Sequence, residues 1–317
     1  MGSISPVTAV SDSKTQSQTT ASKSQVRKYI PLYLSIAPYY IVFLVFGLFP
    51  VLYSLYLAFQ KWDGIGTMTF VGGSNFYLVL TDPLFGKAVL NTFEIWIMST
   101  VPMLFLALVI AFLINQRSRS KFAYQLCFYL PNITSVVAVT LIFQALFGVQ
   151  YGLVNQLLAA LHLPTVAWLT DPWGIKWTIS FMSIWLWTGY NALIYMAGLQ
   201  SIPSEYYEAA RTDGANIWHI FFHITLPMLR PIILFTVISS TIGGLSLFTE
   251  PQVLFSQVSN MLNTGGPGNA GLTMVLYQYW QGFANFHYGY GAAVGWIIFF
   301  ILLICTAINW KLVQRGE

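Results

Sequence analysis

What most limits the fold of this chain is a series of long apolar windows with almost no charge in them. They cover residues 30–59, 88–115, 122–147, 177–199, 231–255 and 289–310. Each meets or exceeds the roughly 18–20 mainly apolar residues with which a helix crosses a hydrocarbon layer about 30 Å thick. A membrane β-barrel would instead show segments of about ten residues alternating in polarity. Charged residues make up 8% of the chain, against about 25% in soluble domains. The expectation is an all-α integral membrane protein with six spanning helices.

The segments between the windows set the expected orientation. Lys14, Lys23, Arg27 and Lys28 precede the first window, and Arg117, Arg119 and Lys121 join the second and third. Arg211 and Arg230 lie between the fourth and fifth, and Lys311 and Arg315 follow the sixth. The other side holds only Lys61, Lys87 and Lys176. Basic residues gather on the cytoplasmic side, so both termini and the segment before the fifth window are expected there. Residues 1–28, rich in Ser, Thr and Gln, lack the apolar surface to fold and read as a disordered cytoplasmic tail. Residues 29–317 then form the membrane domain. The first window is too long for the core of a signal peptide and is expected to stay attached. Cys127 and Cys305 lie in apolar runs, where they read as small hydrophobes. The net charge of +4 indicates no nucleic-acid partner, because here it is distributed by membrane side.

One polar interruption stands out, EYYEAARTDGANIWHIFFHITLPMLRP, residues 205–231. Pro203 ends the preceding window, and Ser204 is placed to cap a new helix by accepting from a free backbone N–H. Glu205 suits the positive end of the helix dipole. Gly214 supplies a stop where positive φ is allowed. The spacing thus predicts a short helix at about 204–217, with two small side chains, Ala209 and Ala210, on its surface. A bend and a second amphipathic piece from Asn216 to Ile224 follow. His219 and His223 are four apart, but no third ligand is near and no metal site is expected.

The order Glu208-Ala209-Ala210, three residues, Gly214, nine residues, then Ile224-x-Leu226-Pro227 resembles the EAA signature of permease subunits of binding-protein-dependent ABC importers. Tyr129-Leu130-Pro131, Gly152-Leu153-Val154-Asn155, Thr264-Gly265-Gly266-Pro267 and Tyr290-Gly291-Ala292-Ala293 are similar to the carbohydrate, maltose-F-like branch. The resemblance implies a type I ABC importer permease fold in a bacterial or archaeal plasma membrane. It implies as partners a second permease subunit, two cytoplasmic ATPases and an extracytoplasmic solute-binding protein, with a sugar as cargo. Glu208, Ala209, Ala210, Arg211, Asp213, Gly214, Ile224, Leu226 and Pro227 would then couple the spans to the ATPase. No G-x-x-x-x-G-K-[ST] loop occurs in the sequence. The chain is therefore expected to be no enzyme and to bind no cofactor itself, with ATP and Mg held by the ATPase subunits.

A path for the solute is sought around the coupling segment. Ser239, Gly243, Ser246 and Glu250 recur at helical spacing, with Ser240 and Gly244 beside them. Two readings of this face stand: close packing by small residues, or a hydroxyl-rich lining for a sugar. By the same resemblance, Trp187, Gly189 and Tyr190 of the Trp-x-Gly-Tyr pattern belong to the path, whereas the asparagines of the maltose-type fifth span are absent. Glu94 and Glu250 are the acids expected within spans, and no Lys or Arg is, which favours a neutral solute. A proton-coupled carrier using Glu94 or Glu250 is the alternative.

Overall fold

The computed structural model describes residues 29, 31, 33–117, 121–256 and 265–314. The proposed tail of residues 1–28, Arg119, Thr264 and Arg315 lie outside them. The chain divides into two compact units, residues 1–56 and 57–317. The first is dominated by helix α1 (Tyr33–Ala58), which carries a π-turn at Phe43–Leu48 and mostly exposed apolar side chains.

The second unit opens with a small antiparallel hairpin, β1 (Gln60–Lys61) and β2 (Thr69–Phe70), and a short helix α2 (Ser74–Thr81). The buried Asn75 amide ties them together by donating to the carbonyls of Ala58 and Gln60 at 2.9 and 2.8 Å. Asp82 ends α2 and accepts from the Leu84 N–H at 2.7 Å, which starts α3 (Pro83–Arg117). This is the position where a side-chain oxygen satisfies an orphan helix donor. Tyr277 donates to the same carboxylate, and Tyr290 lies 2.7 Å from the Tyr277 hydroxyl. Two later parts of the chain are thereby held at the start of α3.

The core of this unit is α3 against α7 (Pro172–Ser201), running parallel. Glu94 meets Lys176 near their starts. Ala107 and Ala111 share a buried cluster with Tyr195, Met196 and Leu199 near their ends. Small residues at 107 and 111, four apart, let the two backbones approach. Asn91 then pins the returning chain, its amide donating to the carbonyls of Asn269 and Leu272 at 2.7 and 3.1 Å.

The apolar windows are realised with two differences. Among the described residues, four helical segments are long and apolar enough to cross a membrane: α1, α3, Arg230–Phe255 and α13 (Tyr288–Gln314). The window at 122–147 is no straight span. It forms α4 (Lys121–Ile133) and α5 (Val136–Leu146), bent by 89°. Pro131 removes a helical donor within α4, and Ser135, at φ −55° and ψ 124°, leaves the helix. Tyr129-Leu130-Pro131 therefore lies just before the bend. Counted as one span, this pair brings the number to five by length and composition among the described residues. Helix α7 has the length, 30 residues, but a more polar sequence. Many of its residues are enclosed by neighbouring helices, which relaxes the need for an apolar surface.

Helix α7 also begins earlier than the window at 177–199 suggests. Asp171 accepts from the N–H groups of Trp173 and Gly174 at 2.9 and 3.0 Å, and Pro172 takes the first position. Lys176 is thus a buried helical residue bonded to Glu94 and set 4.9 Å from the Trp173 ring centroid. Lys176 precedes the window at 177–199 but lies inside α7, so the expectation that no Lys or Arg falls within a span is corrected for this helix. A hydropathy window ends at a charge, whereas here a carboxylate 82 residues away neutralises it.

Between α5 and α7, helix α6 (Leu153–Ala160) is fixed by Asn155, whose side chain bonds the backbone of Val166 in both directions and accepts from the Trp168 indole at 3.0 Å. After α7 come α8 (Ser204–Thr212), α9 (Ile217–Met228, with a π-turn at Phe221–Thr225), α10 (Arg230–Leu245) and α11 (Thr249–Phe255). Next is α12 (Met274–Tyr279), extended by a π-turn at Trp280–Ala284, and then α13.

Candidate functional site

Two regions collect the residues singled out above. The first is the polar segment around α8. Its end is a double-bonded C-terminal turn: the Ala215 N–H donates to the Ala210 carbonyl at 2.9 Å and the Gly214 N–H to Arg211 at 3.1 Å. Gly214 has φ 78°, the left-handed conformation this turn requires. The beginning differs from expectation. Pro203 takes the cap position and Ser204 is the first helical residue, so Ser204 makes no capping bond. Asn216 caps instead, accepting from the His219 N–H at 2.8 Å to start α9.

Helix α8 has no buried residue. Glu208, Ala209, Arg211, Asp213 and Gly214 are exposed, and Ala210 is half-buried. Ile224, Leu226 and Pro227 are half-buried on α9 and its exit. The Tyr207 hydroxyl, 3.4 Å from buried Thr225, links the two pieces. His219 and His223 stack at 4.0 Å between ring centroids. Tyr207 also packs against a buried cluster that includes Ile202 and Leu229, which anchors one side of α8. Behind it a cavity of about 400 Å³ lies between Phe112, Leu199, Tyr207, Arg211 and Ile217.

The second region is a cavity of about 400 Å³ bordered by α3, α7, α10, α11 and, at Val136, α5. Ser239, Ser240, Gly243, Gly244, Ser246 and Glu250 all line it, as do Trp187 and Tyr190. The spacing argument reached these residues although α10 stops at Leu245. Phe248, at φ −136° and ψ −56°, breaks the helix, and Glu250 sits in the first turn of α11. Glu250 is 6% exposed. Trp187 and Tyr190 meet edge to face at 5.9 Å.

Gly189 is not in this lining. A Cβ there would fall 1.7 Å from the Phe128 carbonyl oxygen, so Gly189 is the point where α4 crosses α7. Three residues of one motif need not share a face of a helix, and Gly189 serves this crossing while Trp187 and Tyr190 face the cavity. Ser99, Thr100, Ser183 and Asn191, not singled out in the sequence, also belong to the lining, beside apolar residues such as Met103 and Leu247. Ser183, Trp187 and Tyr190 follow one another at four and three residues, a helical stripe that was legible. Ser183 is buried and its hydroxyl has no hydrogen-bond partner among the described residues. Glu94, by contrast, is engaged by Lys176.

Chemically, the lining offers hydroxyls, one carboxyl group, an indole, a phenol and a carboxamide, without a Lys or Arg. Its volume lies within the roughly 300–1,000 Å³ usual for small-molecule sites.

The chain matches the model of a family described as the binding-protein-dependent transport system inner membrane component over residues 95–315. It is 35% identical over 282 residues to an arabinooligosaccharides transport system permease protein of Bacillus subtilis, covering 88% of this chain and 87% of that protein. It is 35% identical over 297 residues to a lactose transport system permease protein of Rhizobium radiobacter, covering 92% and 97%. Among solved structures it resembles a chain of a bacterial ABC transporter for import of the acidic polysaccharide alginate. The TM-score is 0.75 at 22% identity, covering 92% of this chain and 98% of that one.

Proposed function

We propose, from the premise that this chain belongs to the binding-protein-dependent transport system inner membrane family, that it carries a neutral sugar or oligosaccharide through the cavity between α3, α7, α10 and α11. The chain is a multi-pass membrane component of an ABC importer with the type I permease fold. In this reading it pairs with a second permease, receives its solute from an external binding protein and is driven by two ATPase subunits. ATP and Mg act in those subunits, and this chain has no catalytic role.

The observation that carries the reading is the cavity lining. Its hydroxyls, Asn191 and Glu250 suit the rims of a sugar, and Trp187 and Tyr190 suit its C–H faces. Names of relatives that transport arabinooligosaccharides and lactose point the same way. The alginate transporter handles an acidic polysaccharide. In this cavity an anionic sugar would meet the Glu250 carboxyl and no Lys or Arg, which favours a neutral one. The carrier alternative loses Glu94, whose carboxylate is paired with Lys176.

Helix α8 is proposed to dock in a cleft of an ATPase subunit, with Ala209 and Ala210 permitting close approach and the turn at Gly214 fixing its angle. The test is the purified importer, reconstituted with its partner subunits and binding protein. Lactose or arabinooligosaccharides should stimulate ATP hydrolysis and uptake, and amino acids or uronic-acid oligomers should not. Stimulation by an amino acid alone would overturn the carbohydrate assignment, and preference for the uronate would overturn neutrality.

A further inference from the structure

A line of aromatic rings leaves the cavity toward the end of the helices opposite α8. Phe248, which lines the cavity, contacts Tyr279 at 5.0 Å between centroids. Tyr279 stacks on Phe283 at 5.6 Å, Phe283 meets Tyr288 at 6.2 Å, and Tyr288 meets Trp62 in the hairpin loop at 5.5 Å. Phe286 joins at Tyr288, 6.4 Å away. The core side of α12 is filled by Met274, Leu276 and Tyr277, all buried. The rings on the other side keep free faces: Tyr279 is 37%, Phe283 60% and Phe286 56% exposed.

Two backbone irregularities hold this arrangement. The π-turn at Trp280–Ala284 follows Tyr279 directly. Phe286 adopts φ 59°, an uncommon conformation for a bulky side chain. Aromatic residues that only anchor a protein at the headgroup level need no mutual contact and no destination. Here the rings touch in sequence and end at Phe248 in the wall of the cavity.

We propose that Trp62, Tyr288, Phe283, Tyr279 and Phe248 form a track along which a glycan chain passes between the outer end of the protein and the cavity. The proposal rests on the carbohydrate reading above. Stacking on aromatic faces is tolerant of position along the chain. A sugar ring leaving one face meets the next before it is fully hydrated again, so no single station binds tightly enough to trap it.

The test uses the whole importer in proteoliposomes with labelled arabinobiose and arabinotetraose. The Tyr279→Leu/Phe283→Leu double variant keeps apolar bulk but removes the ring faces. It should assemble normally by native mass measurement, yet lower arabinotetraose uptake five- to tenfold and arabinobiose uptake about twofold. Phe283→Trp should retain wild-type uptake. The track is overturned if the double variant transports both sugars at the wild-type rate, or if Phe283→Trp fails as badly as the leucine variant. It is also overturned if the double variant no longer assembles, which would make these rings a contact with the second permease. If the wild-type importer takes up neither sugar but does take up an amino acid, the carbohydrate reading itself fails. That outcome is read from the wild-type arm alone.

Discussion

Lys176 donates to Glu94 across the α3–α7 contact, joining the two most extensively packed helices of the protein near their starts. The lysine side chain is 11% exposed and the carboxylate 37%. Breaking a buried pair from one side leaves the other charge uncompensated. Lys176→Met should therefore destabilise the protein by about 1–3 kcal/mol, a range set below that for fully enclosed pairs because Glu94 reaches solvent. The double variant Lys176→Met/Glu94→Met should recover most of the loss. Thermal unfolding of the purified complex checks both, and a double variant no better than the single would show that packing rather than charge is at stake.

Gly214→Val should act through backbone conformation alone. A Cβ at Gly214 has no atom within 4 Å, but φ is 78° there, and a left-handed residue with a side chain costs roughly 1–2 kcal/mol. The helices should still insert at wild-type levels. The complex should either lose its ATPase subunits on purification or hydrolyse ATP without uptake. Gly214→Asn, which tolerates this region, should be milder. Wild-type transport by Gly214→Val would refute the docking role of α8.

Glu250→Gln keeps the shape of the cavity wall and removes a charge-capable acceptor. A hydrogen bond to a charged group contributes about 1.5–3 kcal/mol, so uptake should fall about tenfold or more with normal assembly. Uptake assays on equal amounts of assembled complex decide this. A loss of assembly with normal uptake per complex would make Glu250 a structural residue.

Two glycines separate packing from passage. At Gly189 an added methyl collides with the Phe128 carbonyl, whereas at Gly243, in the cavity wall, it meets nothing within 4 Å. Gly189→Ala should lower stability by about 1–3 kcal/mol through overpacking without altering which sugars are taken up. Gly243→Leu should leave stability near wild type and reduce uptake, most strongly for the longer oligosaccharide. Unfolding midpoints and competition assays distinguish the two.

What the sequence disclosed follows from how local each feature is. The turn at Gly214 was legible because its two bonds involve residues within five positions. The cavity wall from Ser239 to Glu250 was legible because helical spacing places small residues together, and the break at Phe248 happens to keep Glu250 on the same side. The 89° bend between α4 and α5 was hidden, since both arms are apolar and only Pro131 hints at it. Lys176 was misplaced because its partner is distant in sequence. The packing role of Gly189 is not legible in the sequence, because its reason lies in Phe128, on another helix.

The amide of Asn91 finds its acceptors at Asn269 and Leu272, 178 and 181 residues later. At a synthesis rate of about 5–20 residues per second, α3 emerges roughly 10–40 s before those carbonyls exist. For that interval Asn91 has neither of these acceptors, and the first half of the chain must be held in a partly assembled state. The permease is therefore most exposed to mispairing and degradation during its own translation. Truncations after α11 should be cleared by quality control, because α3 would be left permanently without the segment that completes it.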